Sequence, residues 1–292
     1  MRDLIIGSAS NFSWEHLQYW VNSIKMSGFE GDIIVTGTGI TDETKQKLES
    51  KGVFVYVFDE NPFKHYAPHV ARFLYQWYVL NNIVDRKMYK YVISTDTRDV
   101  IFQTNPSDWL RLNDDEYIFV FSTEGLIYCD EPWGKNNIEE TFGNVIANTL
   151  MDKMICNVGV IAGEFSYMKG LFLDLFVGSI NRPIKIVDQA VFNYLAHSKS
   201  MSSISSFLYN NSRWSIQLGT TIEAIEAGSG DLGQMCVQDP KMMEQYKNNY
   251  KDVQPIIEDG KVKTTYGELI SVVHQYDRIP ELKKKIQQIY GD

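Results

Sequence analysis

Two rhythms of apolar and polar residues trade places along the chain. Short unbroken apolar runs have the length and the β-branched and aromatic content of buried strands: LIIGSA (4–9), DIIVTG (32–37), VFVYVF (53–58), YKYVIST (89–95), EYIFVFS (116–122) and MICNVGVIAG (154–163). Between them apolar residues recur every three or four places, as on one helix face. Leu17, Val21 and Ile24 predict a helix over 14–27, opened by Ser13 and stopped by Gly28. Thr41 opens a shorter helix that ends at Gly52, and Val70, Leu74, Trp77 and Val84 mark another over 68–84. Asn137, with Glu140 at the capping-box position, predicts a helix to about Leu150. Ser166 caps the next one. IKIV (184–187) leads into Asp188, which caps a helix to about residue 198. Beyond 200 the pattern loosens. Asp259-Gly260 predicts a hairpin, a strand ends near Val273, and a charged helix covers roughly 280–290.

Strands alternating with helices imply an α/β fold with a mostly parallel sheet flanked by helices. Ligands of such sheets sit beyond the carboxyl ends of the strands. No repeat, low-complexity tract or linker interrupts the 292 residues, so one domain over 1–292 is the simplest organisation.

Composition narrows the function classes. With 44% hydrophobic and 22% charged residues the chain is globular with material for a large core. The formal net charge is −9 and no basic run stands out, which argues against a non-specific nucleic-acid binder. One local cation would still suffice for a small anionic substrate. Cys129, Cys156 and Cys236 are odd in number, widely spaced and free of any CxxC pair, so reduced buried thiols are expected rather than disulfides or a cysteine-held zinc. No apolar stretch reaches the ~20 residues that span a bilayer. The opening MRDLIIGSASNFSW turns polar too soon for a secretory signal. The expectation is a soluble, cytoplasmic protein in which the glycosylation sequons at Asn11 and Asn210 are chance matches.

The chemistry concentrates in YKYVISTDTRDVIFQTNP, Tyr89 to Pro106. A strand running through Asp96 and Asp99 would point them to opposite faces. If the strand ends at Thr95 and a turn follows, the two carboxylates come within ~7 Å and converge at the sheet edge. Like charges held together there call for neutralisation, and hard oxygen ligands suit Mg²⁺ or Mn²⁺. The alternative is a solvated turn with an Asp96–Arg98 or Asp99–Arg72 ion pair.

A hydrophobic strand ending in an aspartate motif after a run of β/α units resembles the metal site of the GT-A glycosyltransferases. Those enzymes usually carry Asp-x-Asp. Here the motif is Asp96-Thr97-Arg98-Asp99, similar to that in glycosyltransferase domains of collagen-modifying lysyl hydroxylases, with Arg98 where the second aspartate usually stands. CNVGVIAGE (156–164) is similar to the family's Asn-x-Gly strand, which lines the sugar and acceptor pocket. VDQAVFNYL (187–195) is similar to its Asp-Gln motif, and SVVHQYDR (271–278) resembles its late strand ending in a metal-binding histidine. In the family's order, these segments and the first strand span residues 4 to 278.

The resemblance implies a Rossmann-like nucleotide-diphospho-sugar transferase in which residues 1–122 bind the nucleotide sugar. Residues 123–292 would then bind the acceptor and supply the last metal ligand. It implies transfer of a hexosyl or pentosyl group from a nucleotide sugar, UDP foremost, to a glycan or other hydroxyl acceptor, with Mn²⁺ or Mg²⁺ as cofactor. The metal ligands would be Asp96, Asp99 and His274. Arg72, Arg98 and Arg278 would face the diphosphate, where a guanidinium fork suits phosphate oxygens. Ser8, Ala9, Asn11 and Asp59 would flank base and ribose, and Asn157 the sugars. Asp188 and Gln189 would lie beside the reacting carbon, although Asp188 as a helix cap needs no further role. The Asp-Gln pair leans towards retention of anomeric configuration.

His16, His65, His69 and His197 are read as structural or surface residues. The chain has 17 Tyr, 15 Phe and 6 Trp; most fill the core, and Trp133 and Trp214 sit in loop-like contexts. Two other functions stand beside this one. A sugar nucleotidyltransferase would carry a Gly-rich basic loop after the first strand, which GSASNFSW is not. A catalytically inactive sugar-binding domain would have no use for Asp96, Asp99 and His274. The lack of a signal or anchor suits a bacterial or viral enzyme.

Overall fold

A computed structural model describes residues 1–59, 66–113, 117–182, 184, 186–209 and 211–292. Asn210, His65, Glu116 and Lys185, named above, lie outside the described residues. The chain opens β1 (Arg2–Ser10), α1 (Trp14–Met26), β2 (Asp32–Thr38), α2 (Asp42–Ser50), β3 (Val53–Val57), α3 (Pro68–Asn82) and β4 (Tyr89–Thr95). There follow β5 (Val100–Phe102), α4 (Pro106–Leu112), β6 (Phe119–Ile127), α5 (Pro132–Phe142), α6 (Asn144–Ala147), β7 (Met154–Glu164), α7 (Phe165–Ser179) and α8 (Asp188–Ala196). Short strands complete the set: β8 (Ser205–Leu208), β9 (Ser215–Gln217), β10 (Ile256–Glu258), β11 (Lys261–Lys263) and β12 (Val272–His274). The last helix is Pro280–Tyr290.

The main sheet has seven strands in the order β3-β2-β1-β4-β7-β6-β8. All run parallel except β7, which pairs antiparallel with both β4 and β6. The apolar runs are unbroken because both faces of this sheet are covered. Leu4, Ile6, Ile34, Val92, Phe121 and Ile161 face the layer of α3, α7 and α8. Ile5, Ile33, Val35, Ile93, Val120 and Val160 face the opposite layer, with Trp20 and Val21 of α1.

A second sheet, β5-β12-β9, stands apart from the first. β5 pairs antiparallel with β12, and β12 pairs parallel with β9. Of its strands only β12 was expected, as the strand ending near Val273; β5 and β9, three residues each, were not. Its register sets His274 against Val100 on one side and against Gln217 on the other. The expected hairpin is present: Asp259 and Gly260 both take positive φ, and β10 pairs antiparallel with β11.

Several helix starts differ from expectation. Asn137 lies inside α5, whose N-cap is Glu131, and its side chain donates to the Ile186 carbonyl at 2.6 Å. α7 starts at Phe165 rather than after Ser166. Asp188 does not cap α8. Val187 holds the cap position, and Asp188 is already helical with its carboxylate drawn elsewhere. Trp214 is fully buried beside Trp109, and Cys129 is exposed where a buried thiol was expected. Among the described residues no helix is long and apolar enough to cross a membrane.

One buried polar side chain ties α8 to the sheet. Asn193 accepts from the Cys156 amide at 2.7 Å and donates to the carbonyls of Cys156 and Gln189, both at 2.8 Å. Asn193→Ala would strip a buried strand amide of its partner. We expect a loss of about 2 kcal/mol or more in chemical denaturation. A loss under about 0.5 kcal/mol would show that this bond does not hold the helix.

Candidate active site

β4 ends at Thr95, and the backbone bends through residues 96–99 before re-entering a sheet as β5. Two backbone bonds fix the bend. The Asp96 amide donates to the Gly159 carbonyl at 2.8 Å, and the Gln275 amide to the Asp99 carbonyl at 2.7 Å. Gln275 takes φ +60°, a left-handed conformation that side chains rarely adopt. The β5–β12 register then lays His274 beside Asp99. Its Nε2 lies 3.5 Å from Asp96 Oδ2 and 3.5 Å from Asp99 Oδ1. One ligand atom from each of the three residues fits within 4.8 Å of the others. Two carboxylate oxygens and one imidazole nitrogen are a donor set that suits Mn²⁺ or Mg²⁺.

Gly159, at the third position of the Asn-x-Gly segment, leaves room for this cluster. A Cβ there would run into His274 and come 2.8 Å from Asp96 Oδ2. On the far side of the ring, His274 Nδ1 hydrogen-bonds Gln217 Oε1. The amide oxygen only accepts, so Nδ1 carries the proton and Nε2 faces the carboxylates. Gln217 is in turn held by Ser122 Oγ at 2.8 Å. Burial alone would depress the His274 imidazole, but Asp99 and then Asp96 lift it to about 10.

Arg72 stands on the other side of Asp96. Its guanidinium pairs with Asp96 Oδ1 through NH1 and with Asp188 Oδ2 through NH2 at 2.7 Å. Asp96 Oδ2 is therefore left for the His274 side. Burial would raise the Asp96 carboxyl, yet Arg72 and then His274 hold it well below the usual carboxylate range. Burial works against the Arg72 charge too, and Asp96 and Asp188 more than restore it. The ion pairs considered from sequence, Asp96–Arg98 and Asp99–Arg72, are not the ones formed. Arg98 lies 4.0 Å from Asp277 instead.

Beyond Asp188 the polar network continues inward. Gln189 donates to Glu124 Oε1 at 3.0 Å, and Asn157 donates to the same oxygen at 2.8 Å. Burial raises the Glu124 carboxyl, and these two bonds only partly offset it. Asn157 also accepts from the Gly159 amide at 2.7 Å, linking Glu124 to the strand beside the acidic cluster.

One cleft of about 650 Å³ opens over the cluster. Asp96, Asp99, His274, Arg72, Arg98, Arg278, Asp188, Gln189, Asn157 and Ser8 all reach its wall. Ala9, Asn11 and Asp59 do not. Side chains alternate along β1, so Ala9 points into the opposite core while Ser8 and Ser10 face the cleft. Asp59 accepts from the Gly39 amide at 2.8 Å, and Asn11 takes φ +56° just past the strand end. His69, read as structural or surface, is in the cleft near Asp188 and Arg72, and its burial lowers its pKa. His16 closes the cap of α1, and His197 bonds the Met154 carbonyl at 2.8 Å. Trp133 lines the cleft; Trp214 does not. Sequence reading missed Gln217 and Glu124, since neither stands in a motif. A polar residue inside a run as apolar as FVFSTEGLI was the available signal for Glu124.

The same arrangement of elements occurs in solved glycosyltransferases. The bifunctional glycosyltransferase WbbM, in its apo form, matches with a TM-score of 0.56 and 12% identity over 98% of this chain and 49% of its own. This chain thus spans about half the length of WbbM. The galactosyltransferase LgtC, in complex with donor and acceptor sugar analogues, matches with 0.55 and 13% over 98% and 95% of the two chains. A glutamine-to-glutamate active-site mutant of LgtC gives 0.54 and 14% over 96% and 95%. The chain has the GT-A glycosyltransferase fold. No protein-family model matches the sequence, and no curated protein does.

Two measurements probe the cluster. A divalent ion would have to displace the His274 proton. Calorimetric titration with Mn²⁺ in buffers of different ionisation heat is expected to release about one proton per ion, with affinity rising between roughly pH 6 and 8. Binding that ignores pH would exclude His274 as a ligand. Gln217→Leu removes the acceptor that fixes the ring, and we expect Mn²⁺ affinity to fall roughly 10- to 100-fold. An unchanged affinity would mean that the ring needs no such support.

Proposed function

We propose that this chain transfers a hexosyl or pentosyl group from a nucleoside-diphosphate sugar, UDP foremost, to a hydroxyl of a glycan or similar acceptor. One observation carries the reading. Within a GT-A fold, a single cleft joins the Asp96–Asp99–His274 cluster to Asp188 and Gln189. In this reading residues 1–122 hold the nucleotide sugar and 123–292 hold the acceptor. Asp96, Asp99 and His274 would hold Mn²⁺ or Mg²⁺, which when bound supplies a Lewis acid for the charge that grows on the departing diphosphate.

The chain's own residues divide the remaining work. Arg98 and Arg278 line the cleft with exposed or half-exposed guanidinium groups, which suits phosphate oxygens. Ser8, Ser10 and Phe12 offer two hydroxyls and a ring to ribose and base. Arg72 holds Asp188 in place, so that carboxylate orients the donor rather than collecting a proton. Gln189 has an amide, which is no base. LgtC has an active-site glutamine that a solved mutant replaces, and we take Gln189 to hold that place here. With Asp188 tied to Arg72 and an amide beside it, retention of configuration is favoured, the leaving phosphate taking the acceptor's proton.

Calorimetric titration of UDP and GDP with and without Mn²⁺, on wild type and Asp99→Asn, tests the reading. We expect UDP to bind only with Mn²⁺, and the variant to lose at least about tenfold in affinity. Failure of both nucleotides to bind under every condition would overturn it.

A further inference from the structure

A second pocket of about 330 Å³ opens beside the first and shares Trp133, Asn157, Gln189, Gln275 and Arg278 with it. Its wall differs in charge. Glu124, Glu131 and Asp231 all line it. Glu124 and Glu131 are only 7% and 5% exposed, and among the described residues neither forms an ion pair. Arg278 is the only basic side chain on this wall among the described residues, and it stands at the seam with the larger cleft, where its Nε lies 3.7 Å from Asp277.

The Glu131 carboxylate accepts from the Trp133 amide at 3.2 Å and from the Gly134 amide. Those bonds favour the charged form, yet burial and then Glu124, with a smaller push from Asp231, raise it to about 7. Glu131 therefore senses both of the other carboxylates. Glu124 receives both of its hydrogen bonds, from Asn157 and Gln189, on Oε1. Its Oε2 has no donor among the described residues and belongs to a side chain on the wall of this pocket.

A carboxylate oxygen without a donor, on a nearly buried side chain and open to a pocket lined by like charges, calls for a ligand that both donates and carries positive charge. A neutral hydroxyl would satisfy Oε2 and leave the repulsion between the carboxylates in place. A carboxylate or phosphate would add to it. An ammonium group offers three N–H donors and the missing charge together. We propose that the second pocket takes an acceptor bearing a protonated amine, an amino sugar or comparable amino polyol, selected by Glu124, Glu131 and Asp231. That this pocket receives an acceptor rests on the sugar-transfer reading above; its preference for an amine rests on its own residues.

The test compares methyl α-D-glucosaminide with its N-acetyl derivative and with methyl α-D-glucoside, by calorimetry with and without UDP and Mn²⁺. The amine is expected to bind at least about tenfold more tightly than either neutral sugar. Glu131→Gln and Asp231→Asn are each expected to reduce that preference. Asp231 is exposed, so its replacement tests charge without disturbing the core. Equal or tighter binding of the neutral sugars, or a preference that survives both substitutions, would overturn the inference. UDP with Mn²⁺, titrated alongside, separates the two readings. Nucleotide binding without an amine preference overturns this inference alone. An amine preference without nucleotide binding overturns the sugar-transfer reading and leaves the amine site standing.

Discussion

Asp96 and Asp99 emerge together from the end of a buried strand, and their like charges must be offset within a few ångströms. The surrounding structure reads as the response to that constraint. Arg72 takes one oxygen of Asp96, and His274 lies against the other oxygen and against Asp99. Both basic groups are nearly buried, so each depends on the carboxylates as much as they depend on it. Neither basic group belongs to the main sheet. Arg72 comes from α3, and His274 from a three-stranded sheet whose evident effect is to bring the chain's late segment back to Asp99. The strained backbone of Gln275 and the missing side chain of Gly159 are local consequences of packing so much charge into one corner.

From that corner the polar groups form a gradient across two joined pockets. The larger carries Arg72, Arg98 and Arg278 with the acidic cluster, so its charges are mixed and matched. The smaller carries carboxylates and, among the described residues, a single arginine at the seam. Asn157 and Gln189 stand on the border and donate to the same Glu124 oxygen, which couples the position of each amide to the charge behind it. Asn193 anchors the helix that presents Gln189, because one of its bonds runs to the Gln189 carbonyl itself. Packing of α8 and placement of the site are thus the same event.

The chain's net charge of −9 does not describe this site. Much of the negative charge lies on exposed helix surfaces, screened from the cleft. Where solvent access is low, as at Asp99, Arg72, His274 and Glu124, each local charge is magnified, and the order of groups along the wall decides what each pocket favours.

Much was legible in the sequence. The first four strands and the helices between them are marked by apolar periodicity and caps, and YKYVIST ends at Thr95 as its pattern indicates. Polar residues at the end of that strand are visible because a buried strand tolerates them only at its edge. Asp96 and Asp99 could be named for that reason; Asp188, Gln189 and His274 stand out only through the resemblance of their segments to the motifs of the GT-A glycosyltransferases. Other features needed the folded chain. β12 could be expected as a strand ending near Val273, but β5 and β9 are too short for any period to show, so the register that joins His274 to Gln217 and Asp99 exists only in the tertiary structure. Asp188 reads locally as a cap, and only the approach of α3 turns its carboxylate to Arg72. Ala9 and Ser8 are indistinguishable as members of a strand end until the packing of α1 assigns them to opposite faces. Glu124 is an isolated acid in an apolar run, and its role comes from Asn157 and Gln189, far away in sequence. Local propensity sets which segments become strands and helices. Contacts between distant segments decide which charges meet, because the cost of burying a charge depends on what the rest of the chain brings beside it.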